Sequence, residues 1–206
     1  MGERSAERLQ VLAQGSAFCH QSHVLKEAGD SIKRFLDSGI TELGGHLGPL
    51  LWQFAPIDAS DFGGFLELLP AKFGGQTLRH VIEVRHDSFR NGEFIALLRK
   101  FDMPVVYTDH VKYPNIADAT GTFIYARLQR GKDPVPTAYP PKDIRAWASR
   151  LRKMAEGDEP AELPRVAAPA ARKPSPREVF AYVIHEGKIR APAGAMALID
   201  QIGKSE

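Results

Sequence analysis

Four charged residues near the ends of apolar runs have the chemistry to hold an anion. Glu83 and Arg85 lie in RHVIEVRH (79–86), Asp109 in MPVVYTDH (103–110) and Arg127 in GTFIYARLQRG (121–131). Arginine keeps its charge at working pH and presents a fork of donors that matches phosphate or carboxylate. A neighbouring carboxylate fixes the orientation of such a group or moves a proton. Glu83 and Asp109 are therefore candidate catalytic residues, and Arg85 and Arg127 candidate substrate-binding residues. Gln53, in GPLLWQF (48–54), and His185, in EVFAYVIHEG (178–187), join the substrate-binding set through their hydrogen-bonding groups. Each residue also has a simpler reading. Glu83 with an arginine makes a structural ion pair, Asp109 caps the loop after it, and Gln53 is a lone amide. Either His185 or Glu186 faces inward, and the strand phase leaves that choice open.

Alternation along an extended chain sorts these side chains onto faces. Glu83 and Arg85 share one face, with Val84 and His86 on the other. Phe123, Tyr125, Arg127 and Gln129 share a face. Asp109 goes with Tyr107, and His110 points the other way or into the loop. Parallel strands bring their C-terminal ends together. Glu83, Arg85, Asp109 and Arg127 are thus expected to form one polar site at one end of a sheet.

No metal site is assigned. His20 and His23 in CHQSH are spaced in a way that is no metal signature by itself, and Cys19 is the only cysteine. His86, His110 and His185 lie in separate runs. No P-loop, no G-x-G-x-x-G after a strand and no G-x-S-x-G elbow occurs, so the cofactor is unknown. Gly44-Gly45, Gly63-Gly64 and Gly74-Gly75 read as turns.

The elements that must position these residues follow from the apolar pattern. The five runs named above are apolar on both faces, as buried parallel strands are. Helical spacing appears over 25–39, with Gly39 as a stop. It recurs from a cap at Asp61 to Pro70, over 93–101, over 142–155 and over 192–202. Residues 1–24 show no clear period. Residues 156–177, rich in Pro, Ala and charge, read as a mobile loop. Strands alternating with helices predict an α/β fold, a mostly parallel sheet with outer helices.

Length and composition fit an ordinary globular domain: 206 residues, 43% hydrophobic and 25% charged. The formal net charge of +2 gives no global basic field, so nucleic acid is not the favoured partner. No apolar stretch approaches the roughly 18 residues of a membrane span, so no membrane partner is expected. The N-terminus lacks the apolar core of a secretory signal, and a single cysteine suits a reducing compartment. The expected location is cytoplasmic.

With these motifs in view, the chain resembles the YecE-like family, a domain-of-unknown-function family with a TIM-barrel-like fold. The resemblance rests on LGPLLWQFAP (47–56), EVRHDSF (83–89), the strand ending in Asp109, and YARLQRG (125–131). It covers about residues 25–202. It implies an incomplete TIM-like (β/α) barrel of about five strands over residues 25–206, after an irregular segment at 1–24. Members usually begin with about three further strand–helix units, so the resemblance implies a truncated N-terminus. Phe89 stands where the family often has Trp, and Gln129-Arg130-Gly131 replaces the usual His-Gly.

Three functions fit these residues. The first is an enzyme or binder acting on a phosphorylated or otherwise anionic small molecule at the C-terminal ends of the strands. The second is a nucleic-acid-associated phosphodiester hydrolase, with a basic rim from Lys112, Arg130 and Lys132. The third is an inactive, truncated remnant. The residues alone do not decide whether the chain is an enzyme. An open barrel edge would also favour self-association.

Overall fold

The computed structural model describes residues 11–14, 28–54, 62–169, 175–184 and 188–204. His20, His23, Asp61, His185 and Glu186 lie outside these residues. The chain divides into two compact units, Met1–Ile82 and Glu83–Glu206. The fold is α/β, with parallel sheets and five helices among the described residues.

In the first unit, β1 (Val11–Gln14) pairs in parallel with β2 (Leu47–Phe54). This short strand falls within the segment whose sequence shows no period. All eight residues of β2 are buried, which explains its unbroken apolar pattern. α1 (Gly29–Leu36) turns Ile32 and Leu36 inward, and α2 (Phe62–Leu68) turns Phe62, Phe65 and Leu66 inward. Trp52 packs edge-on against Phe35 and Phe65, with ring centroids 5.4 and 5.8 Å away. Its indole N–H donates to Nδ1 of buried His80 at 2.9 Å. Nδ1 must then be unprotonated, so Nε2 donates to the Pro70 carbonyl at 2.8 Å. A hairpin joins β3 (Lys72–Phe73) to β4 (Gln76–Thr77). Its turn needs left-handed backbone at both central positions, supplied by Gly74 (φ 55°) and Gly75 (φ 79°). β5 (His80–Val84) follows and completes the strand order β1-β2-β5.

In the second unit, β6 (Val106–Thr108), β7 (Phe123–Leu128) and β8 (Glu178–Val183) pair in parallel in that order. Thr108, Arg127 and Tyr182 lie side by side in register, as do Tyr107, Ala126 and Ala181. α3 (Gly92–Lys100) starts at Asn91, whose side chain accepts the Phe94 N–H at 2.8 Å. α4 (Pro141–Glu156) and α5 (Ala191–Gly203) cover one face of the sheet. Tyr107, Ala126 and Leu128 pack there with Trp147, Leu151, Met154 and Leu198. Tyr125 and Arg127 therefore project from the opposite face.

α4 ends at Gly157 in the left-handed region, φ 99°. The described part of the following segment, expected to be a mobile loop, is tied down. Asp118, buried, accepts the N–H groups of Val166 and Ala167 at 2.8 and 2.9 Å. Leu163 joins the core, and Ala117 N–H donates to the Pro164 carbonyl. Among the described residues no helix is long and apolar enough to cross a membrane.

Candidate functional site

Three of the expected site residues meet in the second unit. Glu83, in the last turn of extended chain in β5, is 1% exposed. Its Oε2 accepts a short, charge-assisted hydrogen bond from Arg127 Nη1. Its Oε1 lies 3.6 Å from Arg85 Nε. A carboxylate so deeply buried needs this company, because desolvating a lone charge is costly. Arg127, itself 9% exposed, neutralises it from β7, while Arg85 reaches toward solvent.

Asp109 is placed elsewhere. It follows β6 on the same face as Tyr107, and Tyr107 packs on Trp147 on the helix-covered side of the sheet. Arg127 projects from the other side. Asp109 Oδ1 accepts a short hydrogen bond from the Gln129 N–H, and Oδ2 accepts the Tyr139 hydroxyl at 3.0 Å. That hydroxyl in turn accepts the Arg130 N–H at 2.7 Å. Burial raises the Asp109 pKa, opposed by the bonds from Gln129 and Tyr139. Burial, then the Asp109 charge, lifts Tyr139 well above the ordinary phenol value. The same two causes push Tyr107 up to about 12. The expected group of four is thus a group of three, with Asp109 in a separate network that fixes the backbone at 129–130. Gln53 is buried on β2 in the first unit.

Beyond the C-terminal ends of β5, β6, β7 and β8 lies an open cleft of about 910 Å³. Arg85, Lys112, Arg130 and Lys132 line it, together with His110, Tyr113 and Gln129, and among the described residues no carboxylate does. Its loops are locked by local bonds. His110 Nδ1 accepts the Lys112 N–H at 3.0 Å, so its Nε2 carries the proton in the neutral ring. Asn115 donates to the carbonyls of His110 and Tyr113, both at 3.0 Å. Lys132 N–H donates to the Ala138 carbonyl at 2.6 Å and closes the loop after β7. The His110 and Tyr113 rings stack at 4.3 Å, and the Arg85 guanidinium lies 4.7 Å over the Tyr113 ring. The Thr108 hydroxyl donates to Gln129 Oε1 at 2.5 Å.

Four positive side chains converging on a concave site at the strand ends can hold an anion. Sequence reasoning places Arg130, Lys132 and Lys112 only on a basic rim for nucleic acid, and overlooks Tyr113 and Tyr139. The run HVKYP carried a signal for Tyr113, an aromatic among cations just after a strand end. Among the described residues no three His, Cys, Asp or Glu side chains gather as a cation site.

The family described as Protein of unknown function DUF72 matches residues 3–206. This is the family to which the YecE-like resemblance points. The chain is similar in structure to a DUF72 family protein from Thermotoga maritima. TM-score is 0.57 at 16% identity, covering 92% of this chain and 71% of that one. A DUF72 family protein from Enterococcus faecalis is similar at TM-score 0.58 and 14% identity, covering 86% of this chain and 67% of that one. At such identity the likeness concerns the fold. No curated protein matches the chain.

Proposed function

The chain belongs to the DUF72 family, whose description names no activity, and from that premise we propose that the cleft beyond β5–β8 binds a phosphorylated or otherwise anionic small molecule. The observation that carries this reading is the lining, four cationic side chains with no carboxylate among the described residues. Lys112, Arg130, Lys132 and Arg85 are the binding groups. Glu83, itself paired with Arg127, faces Arg85 from behind. Asp109 and Tyr139 hold the Arg130 backbone in place. In this reading Glu83 orients a cation, and Asp109 fixes the backbone beside one. The framework assigned to the site is the incomplete TIM-like (β/α) barrel. Parallel pairing of β1 with β2 and of β7 with β6 and β8, and the alternation of strands with helices, support it. The sequence suggests about five strands. Among the described residues the two three-stranded sheets hold six, with the β3–β4 hairpin beside them.

Calorimetric titration of the full chain with pyrophosphate tests the function. Binding should be clear at low ionic strength and weaken as salt screens the charges. Combining Arg130→Glu with Lys132→Glu should abolish it. Absence of binding to the native chain, or unchanged affinity in the double variant, overturns the reading.

A further inference from the structure

The cleft contains more than charge. One wall is a run of flat groups, the guanidinium of Arg85 over Tyr113 and Tyr113 stacked on His110 at an interplanar angle of 23°. Beside it, Val111 is 71% exposed, and Ile184 adds a second apolar side chain to the lining. A bare anion gains nothing from the two rings or from these apolar side chains. The other wall carries Lys112, Arg130 and Lys132. Gln129 stands with them, its carbonyl oxygen occupied by the Thr108 hydroxyl, so what it offers a ligand is its amide N–H pair.

Resting on the anion-binding reading, we propose that the ligand is a nucleotide carrying two phosphates, a nucleoside diphosphate. The phosphates lie against Lys112, Arg130 and Lys132. The base extends the stack of planar groups, as bases do on aromatic rings and on arginine. Gln129 donates to an acceptor on the base or sugar. The volume of about 910 Å³ has room for such a molecule. A nucleoside alone would leave the cations unmet, and inorganic phosphate would leave the rings of Tyr113 and His110 unused. A nucleic acid strand would call for a longer basic track, and the formal net charge of the whole chain is only +2.

Affinities of the full chain for adenosine diphosphate, pyrophosphate and a short oligothymidylate, at one fixed salt concentration, test this. Adenosine diphosphate should bind about tenfold more tightly than pyrophosphate, the scale of one stacked base. Tyr113→Leu should erase that ratio, and Tyr113→Phe should keep it. A thermal melt checks that the leucine variant is folded. Should it not fold, the comparison of ligands on the native chain decides alone. Equal affinity for the two diphosphates overturns the nucleotide inference and leaves the anion site standing. Absence of binding to all three removes the anion site as well. Tighter binding of the oligothymidylate than of adenosine diphosphate overturns the small-molecule ligand in favour of a single strand.

Discussion

Replacing Glu83 by glutamine removes the one carboxylate that holds two guanidinium groups behind the cleft. The side chain of Glu83 is 1% exposed, that of Arg127 11% and that of Arg85 30%. Arg127 cannot turn to water without moving β7, so Glu83→Gln leaves a buried, uncompensated cation. Breaking a buried pair in this way costs about 3–5 kcal/mol. That is a large share of the roughly 5–15 kcal/mol that holds a domain folded. Arg85→Met should cost less than about 1 kcal/mol, because that partner is solvated. Adding Arg127→Met to Glu83→Gln should restore most of the loss, since a buried pair replaced by groups of like volume is often neutral. Equilibrium denaturant unfolding measures these three and Arg127→Met alone. Trp147, in the core of the second unit, reports there, and Trp52 reports on the first. If the penalties of Glu83→Gln and Arg127→Met simply add, the two groups are not coupled and the account of their burial is refuted.

His80 gives a pH dependence. Burial lowers its pKa below the ordinary 6.5, and its Nδ1 must stay unprotonated to accept from Trp52. A folded-state pKa below the unfolded one contributes stability that is present above 6.5 and lost as the pH falls through the lowered value. The melting temperature should therefore drop with acidity, and His80→Gln should flatten that part of the profile. Gly157→Ala should lower the melting temperature. A Cβ there meets the backbone of Ser175, and the left-handed backbone alone costs about 1–3 kcal/mol. Asp118→Ala removes the acceptor of two backbone N–H groups, so limited proteolysis within 157–169 should quicken; an unchanged cleavage rate would show that other contacts hold the segment.

Strands β2, β5, β6 and β7 are legible because both faces of each are largely buried, which leaves runs such as LLWQF and VIEV with little polar interruption; β8, more exposed, is legible from its β-branched and aromatic residues. Burial of both faces also hid which face is which. Alternation put Asp109 correctly beside Tyr107, but nothing in a strand apolar on both sides says that this face meets α4. The sequence therefore groups Asp109 with Arg127 at one end of a sheet, though the two face opposite sides. Glu83, Arg85 and Arg127 were read together correctly, because a charged pair two apart in an apolar strand has few ways to be satisfied. β1 escaped notice since four residues, VLAQ, carry no period of their own. The Gly74-Gly75 turn was plain, but the two-residue strands on either side of it were not. The cleft itself depends on loops closed by bonds such as Tyr139 to Arg130 and Asn115 to His110. Such contacts come from tertiary placement and leave no spacing rule to read.

The most direct test of the central claim is to locate the bound anion. Backbone amide resonances of the isotope-labelled chain, followed during titration with pyrophosphate, report each residue separately. Saturable shifts should gather at Arg85, His110, Lys112, Tyr113, Gln129, Arg130, Lys132 and Ile184. Shifts centred instead on the groove between α4 and α5, around Arg145 and Lys204, or spread evenly over surface lysines and arginines, would contradict it.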